Sequence, residues 1–372
     1  MKFTCRQSII GETLQTLVKI PYPKTNLEVL KGVLLEVVDG GLTLYRTNLD
    51  IAISKQIPVK NAQDGRIVVD MAKLSQYIQT LTTTEDVTFE VVDNNLLVSS
   101  LQGKVLFNLL DSEEFPSPQE VSLENESSVD ASVFNKGIQS TVFACAKSGI
   151  RPEFASVYVF QKKTTKELCF VATDSFRLSE YTEGYEFNEF KDFLIPAIVA
   201  QNLIKVTQGF EGEMLLGYGD GQLVIKKDGY VAISRLTDAI FPDYVKIIPT
   251  EFQCQLQLFK KDLLAVFKQV QIFSDTYNQV ILTLTPDGEL LLASHNQYGE
   301  GGEHKIVASL EKKEGFVEEE IKLKFNYMYF MEALQHVPGD IVTVFVAGPQ
   351  KPLVITDDKE SSYLALIMPM SK

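Results

Sequence analysis

The chain has 372 residues, of which 45% are apolar and 23% charged, and a formal net charge of −14. That length exceeds one ordinary core and predicts two or three domains, and the composition excludes a disordered polymer. The charge, taken alone, argues against nucleic acid, because phosphates attract cations.

No apolar run approaches the ~18 residues that span a bilayer, and the opening MKFTCRQSII lacks the apolar core of a signal peptide. A cytoplasmic protein without a membrane partner is expected. Cys5, Cys145, Cys169 and Cys254 stand singly, with no Cys or His at metal spacing, and read as small buried hydrophobes. Neither a metal nor a cofactor is expected.

In chain order, the first element is a helix over Arg6–Val18, with apolar Ile10, Leu14, Leu17 and Val18 on one face. A strand pair follows in LTLYRTNLDIAI (Leu42–Ile53), its second strand opening at Thr47. IVVDMAKLSQYI (Ile67–Ile78) then reads as a strand running directly into a helix over Met71–Thr82, with Asp70 at the junction. The strand-like Val105–Leu110 ends at Phe115-Pro116.

The same order then returns. A helix over Phe134–Ser148 precedes a strand pair in Leu168–Tyr181, where Thr173 stands 126 residues after Thr47. Pro196 marks a strand running into the helix Ala197–Gln208, and a strand around Ala232–Leu236 leads to Phe241-Pro242, 126 residues after Phe115-Pro116. A third copy comprises the helix Lys260–Gln271, a strand pair reaching Ser294, the helix Asn326–Val337 behind its strand, and, in YLALIMPM (Tyr363–Met370), Met368-Pro369, 127 residues after Phe241-Pro242. Asp39-Gly40, Asp93-Asn94, Asp220-Gly221 and Asp287-Gly288 read as hairpin turns. Three α+β units of about 125 residues are expected, over 1–120, 129–250 and 251–372, with Pro118–Ser128 and Pro249–Gln253 as linkers.

The six predicted helices contain eight basic residues (Arg6, Lys73, Lys136, Lys147, Lys205, Lys260, Lys261 and Lys268) and three acidic ones (Glu12, Asp262 and Glu332). The remainder of the chain holds 27 basic and 46 acidic residues. Surface helices ordinarily mix both signs. Depletion of carboxylates is compatible with a neutral polar face, or with helices gathered on one surface that faces phosphates loosely while acidic strands lie outside.

Catalytic signatures are weak. His295, His304 and His336 lack ligand partners at metal spacing, and Gly217–Gly221 lies between alternating strands, as a hairpin turn rather than a phosphate cradle. Asp174 beside Arg177 reads as a local ion pair. A non-enzymatic binding protein is expected; a multi-domain α+β enzyme or ligand-binding protein with a site between repeats remains the alternative.

Several stretches resemble the bacterial DNA polymerase III β-subunit family, the β sliding clamps. They are MKFTCRQ at the start, ATDSFRL at Ala172–Leu178, FPDYVKIIP at Phe241–Pro249 and IMPM at Ile367–Met370. The resemblance covers the whole length. It implies three topologically similar α+β domains in the DNA-clamp fold, and a head-to-tail homodimeric ring with helices lining the channel and antiparallel sheets outside. It further implies a non-catalytic processivity factor that encircles duplex DNA without reading its sequence.

By the same resemblance, a hydrophobic cleft holds short peptides of the Gln-Leu-x-Leu-Phe kind from the polymerase III catalytic subunit, the clamp loader, repair polymerases and ligase. Its walls would be Phe154, Thr173, Ser175, Phe176, Arg177, Leu178, Pro242, Lys246, Ile247 and Pro352, with Leu366, Ile367, Met368, Pro369 and Met370 closing it. Val105 and Phe107 would seal the ring against Ile272 and Phe273. Lys24, Ser148 and Arg151 fall at positions of DNA contact; Lys73, Lys136, Lys147, Lys205 and Lys268 join them from the helix charge pattern. The chain departs from the commoner family pattern at Ser175-Phe176, where Gly-His is frequent, at Lys246, where Arg is frequent, and at the tail Ser371-Lys372. A specialised clamp paralogue is a further alternative.

Overall fold

Among the described residues, six α-helices begin where a strand ends. In the computed structural model, Lys2–Arg6 runs into α1 (Gln7–Leu17), Gly65–Asp70 into α2 (Met71–Thr80) and Asn125–Asp130 into α3 (Ala131–Thr141). Phe193–Pro196 likewise runs into α4 (Ala197–Thr207), Cys254–Phe259 into α5 (Lys260–Val270) and Ile321–Asn326 into α6 (Tyr327–His336). The strand-to-helix unit is therefore written six times, twice per repeat, where the sequence reading found three. The structure describes residues 1–23, 25–82, 85–116, 121–185, 187, 190–285, 289–312, 320–357 and 362–370.

Three of the hand-overs carry a side-chain cap, which satisfies an amide that the first helical turn leaves orphaned. Asp70 Oδ1 accepts from Lys73 N at 2.9 Å, Asp130 Oδ1 from Ser132 N at 2.8 Å and Asn326 Oδ1 from Met328 N at 2.9 Å. Each helix then buries one apolar face, such as Ile10, Leu14 and Leu17 of α1 or Leu263, Phe267 and Val270 of α5.

The third helix differs from its predicted span Phe134–Ser148. Capped by Asp130, it starts at Ala131, and it ends at Thr141, whose Oγ1 donates to Gly137 O at 2.8 Å. This β-branched residue closes the helix, Val142–Ala144 continue as a 3₁₀ turn, and Lys147 and Ser148 lie beyond it in an exposed loop. The predicted linker Pro118–Ser128 also shortens, because Asn125–Asp130 is a strand paired with Glu213–Gly219.

The chain divides into two compact units, Met1–Asn135 with Ile198–Leu236, and Lys136–Ala197 with Thr237–Lys372. Among the described residues, the first unit is built on one antiparallel sheet of thirteen strands, in which Tyr230–Arg235 pairs with Ile51–Pro58. Its core includes Phe3 stacked on Phe89 and Tyr45 edge-on to Phe115. The second unit has a nine-stranded sheet, in which Tyr363–Ile367 pairs with Arg177–Gly184, and a four-stranded sheet over Gly301–Ile306, Leu290–His295, Gln279–Leu284 and Ile321–Asn326. Phe267, Phe325 and Phe330 anchor its core.

The hairpin signals at Asp39-Gly40, Asp93-Asn94 and Asp220-Gly221 all carry positive φ at both residues, as a type I′ turn requires. Gly217–Gly221 belongs to such a hairpin, between Glu213–Gly219 and Gln222–Lys227. Asp287-Gly288 lies outside the described residues. The four cysteines are buried and free of disulfides, and burial pushes the thiols of Cys5 and Cys145 up to about 12.

Two landmarks shift in meaning. Thr47 and Thr173 close the first strand of each pair instead of opening the second. Met368-Pro369 is also not the counterpart of Phe241-Pro242. Met368 N donates to Phe176 O at 2.9 Å, as Arg235 N does to Asp50 O at 3.4 Å. The residue equivalent to Met368 is thus Arg235, and the near-equal spacing of the third Pro is coincidental.

Two predictions follow from the packing of the second unit. A Cβ built on Gly137 lies 2.3 Å from the Phe170 ring, so Gly137→Ala is expected to destabilise the protein by about 1–3 kcal/mol, read as a lower urea midpoint. His336 stacks on Phe143 at 4.6 Å, and burial, reinforced by Lys260 and opposed by Glu332, lowers its pKa. The folded state then binds fewer protons than the unfolded one, so stability is expected to fall as pH drops below about 6.5. His336→Phe, which keeps the stack, should flatten the urea midpoint between pH 7.5 and 5.5.

Candidate peptide-binding site

The site grows from a tight turn. Thr173 Oγ1 donates to Arg177 O at 2.6 Å and accepts from Ser175 N at 3.1 Å, while Asp174 Oδ1 accepts from Phe176 N at 2.9 Å and Arg177 N at 3.0 Å. Two short polar side chains thus satisfy the turn's own backbone, and Ser175 is forced to φ 77°. Phe176 is pushed outward and remains 62% exposed.

Arg177 ties that turn to the rest of the second unit. Its Nε donates to Asp174 Oδ2 at 3.0 Å, the local pair expected from sequence, its Nη2 donates to Phe143 O at 2.6 Å, and Nη1 pairs with Glu332 of α6. The guanidinium lies over the rings of Tyr329 (4.6 Å) and Phe143 (5.5 Å). A planar fork with aromatic faces above it is a geometry that lysine cannot reproduce.

Beside the turn lies a cleft of about 430 Å³, lined by Phe176, Thr276, Tyr277, Asn278, Asn326, Tyr329, Met368, Pro369 and Met370. The terminal segment is pinned by Met368 N to Phe176 O and by Met370 N to Lys324 O at 2.8 Å. Four expected residues, Phe176, Met368, Pro369 and Met370, line this space. Leu178 and Leu366 lie beneath it in an apolar cluster with Val171, Tyr244 and Val354, against which Met368 and Phe241 pack.

The other expected wall residues take different places. Ile367 is buried in the core of the second unit. Phe154 is buried with the Arg151 guanidinium 4.0 Å from its ring centroid. Pro242 precedes the Tyr244–Ile247 turn, on which Lys246 is exposed and paired with Asp243 at 2.8 Å, and Ile247 is exposed. Pro352 is half-buried ahead of the strand Leu353–Asp357.

Sequence reasoning missed Thr276, Tyr277, Asn278, Asn326 and Tyr329. The signal available was the Asp275 turn, where Asp275 Oδ1 accepts from Tyr277 N at 3.0 Å and Gln279 N at 2.9 Å and so presents an exposed Tyr277.

Of the expected DNA-contact residues, Lys73 on α2, Lys136 on α3, Lys205 on α4 and Lys268 on α5 are exposed on their helices. Lys147, Ser148 and Arg151 are exposed on the loop after α3, with Arg151 paired to Glu153 at 2.9 Å. Lys24 lies outside the described residues. Among the expected seam residues, Val105 and Ile272 are exposed and Phe273 is half-buried. Phe107 is buried edge-on to Tyr77 because the alternation of its strand turns it inward, and its neighbour Leu106 is 62% exposed instead. Among the described residues, no group of three His, Cys, Asp or Glu could hold a metal ion, and no helix is long and apolar enough to cross a membrane.

Three family models match: the N-terminal domain of the DNA polymerase III beta subunit over residues 1–119, its central domain over 128–243 and its C-terminal domain over 245–371. The beta sliding clamp of Bacillus subtilis (strain 168) is 25% identical over 386 aligned positions, covering 100% of this chain and 99% of that protein. That of Streptococcus pneumoniae serotype 4 is 24% identical, covering 99% and 98%. The crystal structure of the DNA polymerase III subunit beta from Pseudomonas aeruginosa superposes with a TM-score of 0.91 at 21% identity, covering 100% of both chains. The DNA polymerase sliding clamp from Bacillus subtilis superposes at 0.88 and 23% identity, covering 100% of this chain and 99% of that one. These superpositions establish a shared three-domain DNA-clamp fold. Matched by all three domain models along nearly its whole length, the chain belongs to the DNA polymerase III β-subunit family, a family of non-catalytic DNA sliding clamps.

Proposed function

We propose that this chain forms a head-to-tail homodimeric ring that encloses duplex DNA in the cytoplasm, and that partners dock in the cleft beside Phe176. In this reading the three clamp domains span 1–120, 129–250 and 251–372. The observation that carries it, beside the family match, is a pairing rule inside the chain. The last strand of the second repeat (Tyr230–Arg235) covers Ile51–Pro58 of the first, and the last strand of the third (Tyr363–Ile367) covers Arg177–Gly184 of the second.

Applied once more, the rule leaves two strands to be matched. In the first repeat, Gly103–Asn108 pairs only with Asn95–Ser100 among the described residues, and in the third, Gly301–Ile306 ends its four-stranded sheet. These edges belong to different repeats, so their union joins one copy's first domain to another's third. Such a contact must close or polymerise, and pairing also removes two aggregation-prone edges. Val105, Leu106 and Ile272 supply exposed apolar surface beside these positions.

The cleft suits short apolar peptides of the Gln-Leu-x-Leu-Phe kind, from a polymerase catalytic subunit, a clamp loader, repair polymerases or ligase. Methionine at two of its wall positions adapts to unlike partners. Phe176 at the mouth offers an aromatic face. Lys24, Lys73, Lys136, Lys147, Ser148, Arg151, Lys205 and Lys268 would hold DNA loosely, and enclosure instead of grip would confer processivity.

Protein assembled by a clamp loader on circular DNA is expected to remain bound in high salt and to leave when the circle is cut; retention on cut DNA would mean ordinary electrostatic binding. Deleting Met368–Lys372 should lower affinity for a Gln-Leu-x-Leu-Phe peptide by at least tenfold, the loss of roughly one buried apolar side chain, while dimerisation by sedimentation is unchanged.

A further inference from the structure

A second cavity of the same unit shares no lining residue with the cleft beside Phe176. It measures about 640 Å³ and is bordered by Tyr158, Phe160, Lys162, Lys163, Lys166 and Asp192 among others. That volume falls in the range of small-ligand sites, about 300–1,000 Å³. Strand alternation explains which side chains meet there. Along Ser156–Gln161, Val157 and Val159 are buried in the core, so Tyr158 and Phe160 project from the opposite face. Tyr158 pairs with Leu194 and Val159 with Phe193, which brings Asp192 opposite Phe160 and onto that same face. The hydrogen bond from Tyr158 Oη to Asp192 Oδ2, at 2.6 Å, follows from this register.

Three rings stand in a parallel row on this face. Tyr158 stacks on Phe241 at 5.0 Å on one side and on Phe160 at 4.8 Å on the other, with interplanar angles of 14° and 19°. Phe160 therefore ends the row, half-buried, at the cavity wall.

The hairpin beyond Phe160 carries the cations. Lys166 N donates to Lys162 O at 2.9 Å, and Gln161 Nε2 ties the turn down by donating to Lys166 O at 3.1 Å and Tyr185 O at 3.2 Å. Lys162 is neutralised by Glu180 at 2.7 Å, whose other oxygen accepts from Tyr244 Oη at 2.5 Å. Among the described residues, Lys163 and Lys166 are exposed and have no ion-pair partner. In a chain of net charge −14, two uncompensated ammonium groups beside a row of rings make a local anion site with an aromatic floor.

We propose that this cavity binds one nucleotide unit, its base stacked on Phe160 and its phosphate on Lys163 and Lys166. Base–aromatic stacking beside cations is the chemistry that holds unpaired nucleotides, and a row of parallel rings accepts a further planar ring at its end. Lysine meets phosphate as a point charge and needs no fixed fork. Asp192 narrows the choice of ligand. Its carboxylate faces the amino edge of an adenine, whereas thymine turns a carbonyl oxygen toward it and is repelled. The same carboxylate opposes an acidic peptide, the other ligand that two lysines would attract. A base inside a duplex has no free face to offer, so the occupant is a free nucleotide or an unpaired strand. The inference is independent of ring closure and of the cleft beside Phe176.

The test is a titration of the full-length protein with the deoxyribonucleoside monophosphate of 2-aminopurine, whose fluorescence is quenched when the base stacks. Saturable quenching is expected, reversed by dAMP and several-fold less effectively by dTMP, deoxyadenosine or inorganic phosphate. Phe160→Ala should weaken binding roughly tenfold, the order of one lost base–aromatic stack. Lys163→Gln/Lys166→Asn, at two exposed positions, should do the same and flatten the salt dependence; asparagine tolerates the φ of 61° found at Lys166. That surface variant keeps the test decisive if Phe160→Ala misfolds. Comparing dAMP with a short oligodeoxyadenylate distinguishes the sources: tighter binding of the oligonucleotide assigns an unpaired strand, and equal affinity a free nucleotide. Absence of saturable quenching overturns the proposal. So does unchanged affinity in the lysine variant, or stronger displacement by N-acetyl-Glu-Phe-Glu amide than by dAMP.

Discussion

The exposed edge of a β-sheet is the constraint on which this molecule depends. Each repeat ends a sheet with an edge strand that its own residues cannot cover, and an uncovered edge is a row of unpaired amides and carbonyls. Ile51–Pro58 is covered by Tyr230–Arg235, and Arg177–Gly184 by Tyr363–Ile367. Sheets therefore run across repeat boundaries. The compact units are cut differently from the three repeats for the same reason: each unit gathers strands from two neighbours. The Thr-led turns lie at these seams, where they open the covered strands at Ile51 and Arg177.

The first and second repeats each also hold a buried guanidinium. Arg46, just before Thr47, donates to Ile20 O at 3.0 and 3.1 Å and to Gly32 O at 3.1 Å; burial lowers its pKa to about 10, which leaves it charged at neutral pH. Arg177, just after Thr173 and its turn, engages Asp174, Glu332 and Phe143 O. Five donors in a fixed fork let one side chain tie together segments far apart in sequence, at a desolvation cost that full hydrogen bonding offsets. Glu332 is one of the three acidic residues on the predicted helices. Its pairing with Arg177 is internal to the second unit, which leaves α6 with little free negative charge.

The contrast between the two seams shows how one repeated backbone turn carries unlike side chains. Backbone geometry is conserved by the same turn hydrogen bonds, while the residues at its rim change from Phe176 and Met368 to Asp50 and Arg235. The turn's polar residues serve the fold, and the side chains they leave outside are available for recognition.

What the sequence determined by itself was whatever depends on neighbouring residues. Asp70 and Asn326 as caps, Asp39-Gly40 and Asp220-Gly221 as hairpin turns, and the apolar face of α1 follow from local φ, capping and periodicity. The family resemblance at Ala172–Leu178 and Ile367–Met370 also brought out Phe176 and the Met368–Met370 wall. Tertiary structure alone decided the rest. Met368 matches Arg235 rather than Phe241, Phe107 turns inward toward Tyr77, and Thr276–Asn278 border the cleft with Tyr329, because strand pairing and side-chain direction are set between residues tens to hundreds of positions apart. Spacing along the chain cannot distinguish a true counterpart from a coincidence; a hydrogen bond from Met368 to Phe176 can.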